Sequence, residues 1–101
     1  MKPSNGTSDS KMNKHLSITV KGRVQGVFFR ASTVEQAQEL GVHGYVRNES
    51  NGDVHIEVEG EELIVQKFLE WTRIGPPRAR VDECIVNEGE VKNYSGFKIQ
   101  R

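Results

Sequence analysis

The stretch VHGYVRNESNGDVHIEVEG, residues 42–60, decides the fold. Two runs of alternating apolar and polar residues flank Ser50-Asn51-Gly52-Asp53. Asn-Gly is the strongest short-range hairpin signal, because both residues accept the positive φ that a tight turn between twisted strands demands. After the turn, Val54, Ile56 and Val58 alternate with His55, Glu57 and Glu59. A period of two marks a strand with one buried face. Gly60 is expected to end it. Before the turn, Val42 to Arg47 is expected to be the partner strand.

Outward from this hairpin the spacing becomes helical on both sides. Phe29, Thr33, Ala37 and Leu40 form one stripe, and Gly41 supplies a C-terminal stop. Beyond the hairpin, Ile64, Phe68 and Trp71 mark a helix to about Arg73, closed by Gly75-Pro76-Pro77. Further out, Leu16, Ile18 and Val20 alternate with Ser17, Thr19 and Lys21 in a strand over His15 to Lys21. Ala79 to Val86 reads as a fourth strand, Asn87 to Asn93 as a polar turn, and Tyr94 to Gln100 as a short last strand with Phe97 and Ile99 on one side. The order β-α-β-β-α-β, plus a short C-terminal strand, predicts an α+β ferredoxin-like sandwich: an antiparallel sheet with two helices on one face. Residues 1–13 lack periodic apolar positions and are expected to be a disordered polar tail or tag, with Met12 an alternative start. Residues 14–101 then form one domain.

The 101 residues carry 14 Lys and Arg against 14 Asp and Glu, a net charge of zero. This argues against a generic nucleic-acid binder, whose affinity comes from excess positive charge. The single cysteine, Cys84, permits no intrachain disulfide and fits a reducing compartment. No apolar run approaches the ~20 residues that span a bilayer, and no signal-peptide core follows the N-terminus. A cytoplasmic protein with no membrane partner is expected, with monomer as the default.

The predicted topology has a chemical consequence. The first two strands run parallel, so their C-terminal ends lie at one edge of the sheet, where the intervening helix also begins. The loop Gly22 to Phe29, the helix start near Arg30 and the strand end at Asn48 should therefore meet. Unpaired backbone N–H groups at a helix start favour an anion. Gly22 and Gly26 let the loop curl close to a ligand, and Arg30 offers a planar fork matched to phosphate oxygens. On spacing alone, two turn glycines and a solvated arginine explain these residues equally well. The loop also lacks the Gly-Lys-Ser/Thr ending of a nucleotide P-loop.

The residues themselves say more. Gly22-Arg23-Val24-Gln25-Gly26-Val27-Phe28-Phe29-Arg30 resembles the signature loop of the acylphosphatase family. Gly41-Val42-His43-Gly44-Tyr45-Val46-Arg47-Asn48, followed by Asn51-Gly52-Asp53-Val54, resembles its second block. Trp71 with Gly75-Pro76-Pro77, Ala79 and Val81 resembles a third. The resemblance runs from about His15 to Arg101. It implies a ferredoxin-like sandwich that hydrolyses acyl phosphates to carboxylate and inorganic phosphate, without metal or organic cofactor. It implies that backbone N–H groups of Gln25, Gly26, Val27, Phe28, Phe29 and Arg30 cradle the phosphate, that Arg30 binds it, and that Asn48 holds the attacking water. The expected partners are a small-molecule acyl phosphate and inorganic phosphate, the latter as product and competitive inhibitor. Glu49 departs from the family pattern, and a carboxylate there is expected to weaken phosphate affinity or shift the pH optimum.

Other chemistry is thin. His15, His43 and His55 are dispersed and suit surface or satisfied strand positions better than a metal site, and one cysteine makes no zinc pattern. Cys84 suits a small core position, and Glu57, Glu59, Glu61 and Glu62 a solvated strand face and helix start. Two alternatives stay open. One is an RNA-binding module on the same sandwich, against which the acidic third strand speaks; the other is a phosphate sensor without turnover.

Overall fold

The computed structural model describes residues 12–101. Along the chain the elements are β1 (Asn13–Arg23), α1 (Phe29–Leu40), β2 (His43–Asn48), β3 (Val54–Glu61), α2 (Glu62–Thr72), β4 (Arg80–Gly89) and β5 (Phe97–Ile99). The hairpin forms at Asn51-Gly52, with β2 antiparallel to β3 from His43 opposite Glu59 to Asn48 opposite Val54. β1 lies on the other side of β3, with Leu16, Ile18 and Val20 opposite Val58, Ile56 and Val54. These six side chains are buried and share one core with Phe29 and Ala37 of α1 and Val65 and Phe68 of α2, so both helices cover this face. Each Leu, Ile, Val or Phe among them contributes about 1.5–3 kcal/mol on burial. The chain has the α+β ferredoxin-like fold. No helix among the described residues is long and apolar enough to cross a membrane.

Several boundaries differ from the sequence expectation, each for a tertiary reason. Residues 1–11 of the expected tail lie outside the described residues. Asn13, assigned to that tail, opens β1 and pairs with Glu61. β3 therefore continues through Gly60. That glycine marks a close approach and no strand end: a Cβ there would lie 3.2 Å from Val42 Cγ1. Asn87 to Gly89 extend β4 along β1 and form no turn.

The sheet order is β4-β1-β3-β2-β5. The expected antiparallel pairing holds among β4, β1, β3 and β2, and the short last strand departs from it: β5 runs parallel to β2 with Gly44 opposite Phe97 and Val46 opposite Ile99. The cause is the connection after β4. It crosses the ends of the intervening strands and enters β5 beside the start of β2, where the Gly44 N–H donates to the Gly96 carbonyl at 2.9 Å.

The sheet face away from the helices is not simply solvated. His15 bridges two carboxylates, with Nδ1 2.7 Å from Glu59 and Nε2 in contact with Glu57. The backbone N–H groups of Lys92 and Tyr94 donate to Glu59 at 2.8 and 2.7 Å, pinning the crossing connection to the sheet. Glu59 is consequently only 3% exposed. Burial pushes both carboxyls up, but hydrogen bonds outweigh it: from Ser17, His15 and His55 to Glu57, and from His15, Lys92 and Tyr94 to Glu59. Both groups are held below the ordinary carboxylate value.

Candidate active site

β1 leaves the sheet through a bulge. Its register with β4 shifts between Lys21 and Gly22. Gly22 sits at φ 131°, and a Cβ there would lie 2.2 Å from the Arg80 carbonyl oxygen, so only glycine lets β4 pass. The loop that follows is anchored by Val24 and Val27, both buried in the core. Between them Gly26, at φ 73°, leaves open space where a side chain would stand. The loop ends at Phe28, at φ 63° and ψ 24°, and α1 begins at Phe29.

No side chain caps that helix, and its first turn holds no acid. Its first N–H groups and the positive end of its dipole are free of local competition. Arg30, the second helical residue, is half-buried. No carboxylate among the described residues pairs with it, so its guanidinium donors are open to a ligand.

Asn48, the last residue of β2, faces the same place. A pocket of about 280 Å³ is lined by Gly26, Phe28, Phe29, Arg30 and Asn48, together with Val24, Ala31 and Ile99. The parallel strand ends and the helix start meet as topology requires. Asn48 Oδ1 is buried, and no group among the described residues donates to it. Leaving such an acceptor unmade costs about 1–3 kcal/mol, so the position is not explained by stability.

The remaining expected loop residues have other placements. Gln25 does not line the pocket; its Nε2 donates to the carbonyls of Glu49 and Asp53, both at 2.8 Å. It thereby ties the loop to the hairpin that carries Asn48. Val27 serves as a core anchor. Val24, Ala31 and Ile99 were missed by sequence reasoning. The Phe29–Ala37 stripe gave no sign of Ala31, and Ile99 reaches the pocket only because β5 is parallel to β2.

The hairpin tip is itself well held. The Glu49 N–H donates to Asp53 O at 2.8 Å, the Asp53 N–H to Asn51 Oδ1 at 3.0 Å, and Lys21 Nζ lies 2.7 Å from Asp53 Oδ2. Arg47 Nε donates to Glu49 at 2.9 Å, and Arg47 Nη1 to Gln100 at 3.0 Å. The Glu49 carboxylate is thus paired and does not line the pocket, which blunts the repulsion expected of it. Cys84 lies on β4, half-buried, with its thiol pushed up by burial, so it is no thiolate nucleophile. No cluster of three His, Cys, Asp or Glu side chains able to hold a metal occurs among the described residues.

Residues 16–99 match the family model described as Acylphosphatase. An acylphosphatase of Archaeoglobus fulgidus is 46% identical over 84 residues, spanning 83% of this chain and 94% of that protein. An acylphosphatase of Geobacter sulfurreducens is 51% identical over 79 residues, 78% of this chain and 84% of its own. The crystal structure of acylphosphatase from Bacillus subtilis is 34% identical and matches with a TM-score of 0.85, covering 89% of this chain and 100% of that one.

Proposed function

The chain belongs to the acylphosphatase family and hydrolyses acyl phosphates, and on that premise we propose how its residues divide the work: Arg30 and the loop hold the phosphoryl group, and Asn48 places the water. One observation carries this division. One pocket holds a guanidinium that no described carboxylate pairs and a buried amide oxygen to which no described residue donates. The first takes an anion, and the second takes an O–H donor.

An acyl phosphate is already activated, because its leaving group is a carboxylate. The site therefore needs little acid–base power. It needs donors aimed at the phosphoryl oxygens and a fixed nucleophile. Arg30 supplies the bidentate fork. The N–H groups from Gln25 to Arg30 supply further donors at the uncapped start of α1. A water donating one O–H to Asn48 Oδ1 directs its lone pair at phosphorus. The new O–P bond forms as the bond from phosphorus to the acyl oxygen breaks. The electron pair leaves with the carboxylate, and the water proton passes to a phosphoryl oxygen. Gln25 acts at one remove, by holding loop and hairpin in register. Inorganic phosphate is then both product and competitive inhibitor. We place the enzyme in the cytoplasm, as a monomer that uses no metal or organic cofactor.

The test is hydrolysis of benzoyl phosphate beside a phosphate monoester, with amide shifts followed on phosphate titration. Benzoyl phosphate should turn over, and the monoester should be a poor substrate, because its alkoxide needs an acid that the pocket lacks. Shifts should centre on residues 25–30. Shifts confined to another surface would remove the loop from this mechanism.

A further inference from the structure

Phe28 is poorly explained by folding. A non-glycine residue at φ 63° is uncommon, and phenylalanine lacks the short polar side chain that eases this conformation in Asn or Asp. The residue is 72% exposed, while the adjacent Phe29 is buried against Trp71 with ring centroids 5.8 Å apart. A strained backbone that presents an apolar ring to solvent at the mouth of a site points to function.

The pocket, of about 280 Å³, also offers more lining than the four heavy atoms of a phosphoryl group engage. Apart from Gly26, Arg30 and Asn48, the lining is apolar: Val24, Phe28, Phe29, Ala31 and Ile99. Arg30 is the one cation among these described residues, and it is committed to the phosphoryl group. A second anionic group on the substrate would meet hydrocarbon there.

We infer that Phe28 is the specificity-determining wall for the acyl half of the substrate, and that the site selects apolar, uncharged acyl groups. This rests on the division of labour proposed above. The ring stacks against the acyl group while the backbone of the same residue stays in the phosphate loop. Large or aromatic acyl groups gain most, because an aromatic contact adds to simple burial.

The experiment measures kcat/KM for benzoyl and acetyl phosphate in the wild type, Phe28→Ala and Phe28→Tyr. The benzoyl-to-acetyl ratio cancels any damage to the shared phosphate loop. Phe28→Ala should lower that ratio roughly three- to tenfold, and Phe28→Tyr should keep it near the wild-type value. In the wild type, phenylphosphonate should inhibit more tightly than methylphosphonate, a readout that needs no variant to fold. An unchanged ratio in Phe28→Ala, or equal inhibition by the two phosphonates, overturns the assignment while leaving the phosphate site intact. Hydrolysis of neither substrate by the wild type overturns the underlying reading as well.

Discussion

Replacing Asn48 by alanine should separate activity from stability. In the folded protein Oδ1 is buried and no described residue donates to it, so in the proposed mechanism its donor is the pocket water. Asn48→Ala therefore breaks no protein hydrogen bond at Oδ1 and loses the packing of the amide and its water. A net change within about 1 kcal/mol is expected, and in a domain of this size 1 kcal/mol moves Tm by roughly 4–8 °C. Tm should therefore shift by no more than that. Turnover should fall by roughly 10²-fold or more, as for loss of a single transition-state hydrogen bond. Phosphate inhibition should stay nearly constant, because Arg30 and the loop are untouched. Thermal melts, kcat on benzoyl phosphate and the phosphate inhibition constant test all three. A clear fall in Tm with turnover preserved would make Asn48 a structural residue. Loss of phosphate binding as severe as in an Arg30 variant would make it a phosphate ligand.

Arg30→Ala should weaken phosphate inhibition and cut turnover together, since a charged hydrogen bond contributes about 1.5–3 kcal/mol; Arg30→Lys should recover little, because an ammonium lacks the fork. Undiminished phosphate affinity in Arg30→Ala would contradict this. EDTA and thiol-blocking reagents should leave hydrolysis unchanged, as should Cys84→Ser in a folded protein; loss on chelation with rescue by a divalent ion would refute the mechanism. Stability should also depend on acid in a defined direction. Glu57 and Glu59 are held below their ordinary value of 4.5, so their contribution is present above pH 4.5 and lost as pH falls through their depressed folded values. Melts from pH 6 downward should show Glu59→Gln with a shallower fall in Tm than the wild type, and parallel curves would count against the network.

How much of this was legible depends on how local the cause is. Gly52 supplies the turn's positive φ of 99° and Asn51 accepts from the Asp53 N–H through its side chain, both local causes, and the stripe Phe29, Thr33, Ala37 names the buried face of α1 because helical period and core contact coincide. The meeting of Arg30 with Asn48 followed from topology alone, since β1 and β2 must end at one edge. What was hidden is non-local. Glu59 sits at a solvent-facing position in its strand, and only the backbone of Lys92 and Tyr94, arriving from far along the chain, buries it. The direction of β5 depends on how that same connection crosses the sheet, and Ile99 enters the pocket with it. Gln25 reads as a loop donor, and its reach to Glu49 and Asp53 depends on where the hairpin tip lies. Gly60 reads as a terminator because close approach to Val42 leaves no mark in a single sequence.

The strand order has a kinetic consequence. β1 lies at the interior of the sheet between β4 and β3, yet neither partner follows it directly in the chain. The hairpin β2–β3 can form from neighbouring residues, whereas β1 must wait for a strand beyond α1 and β2, and β4 waits for β1. Loop-closure entropy is thus spent before most pairings return any energy. Folding should be governed by those distant encounters, at rates between those of helical bundles and all-β sandwiches. The transition state should be organised around Ile18, Val20 and Ile56, with the edge strand β5 joining after the barrier. The proposed catalytic pocket, lined by Ile99 as well as by residues at the ends of β1 and β2, is then among the last parts of the molecule to assemble.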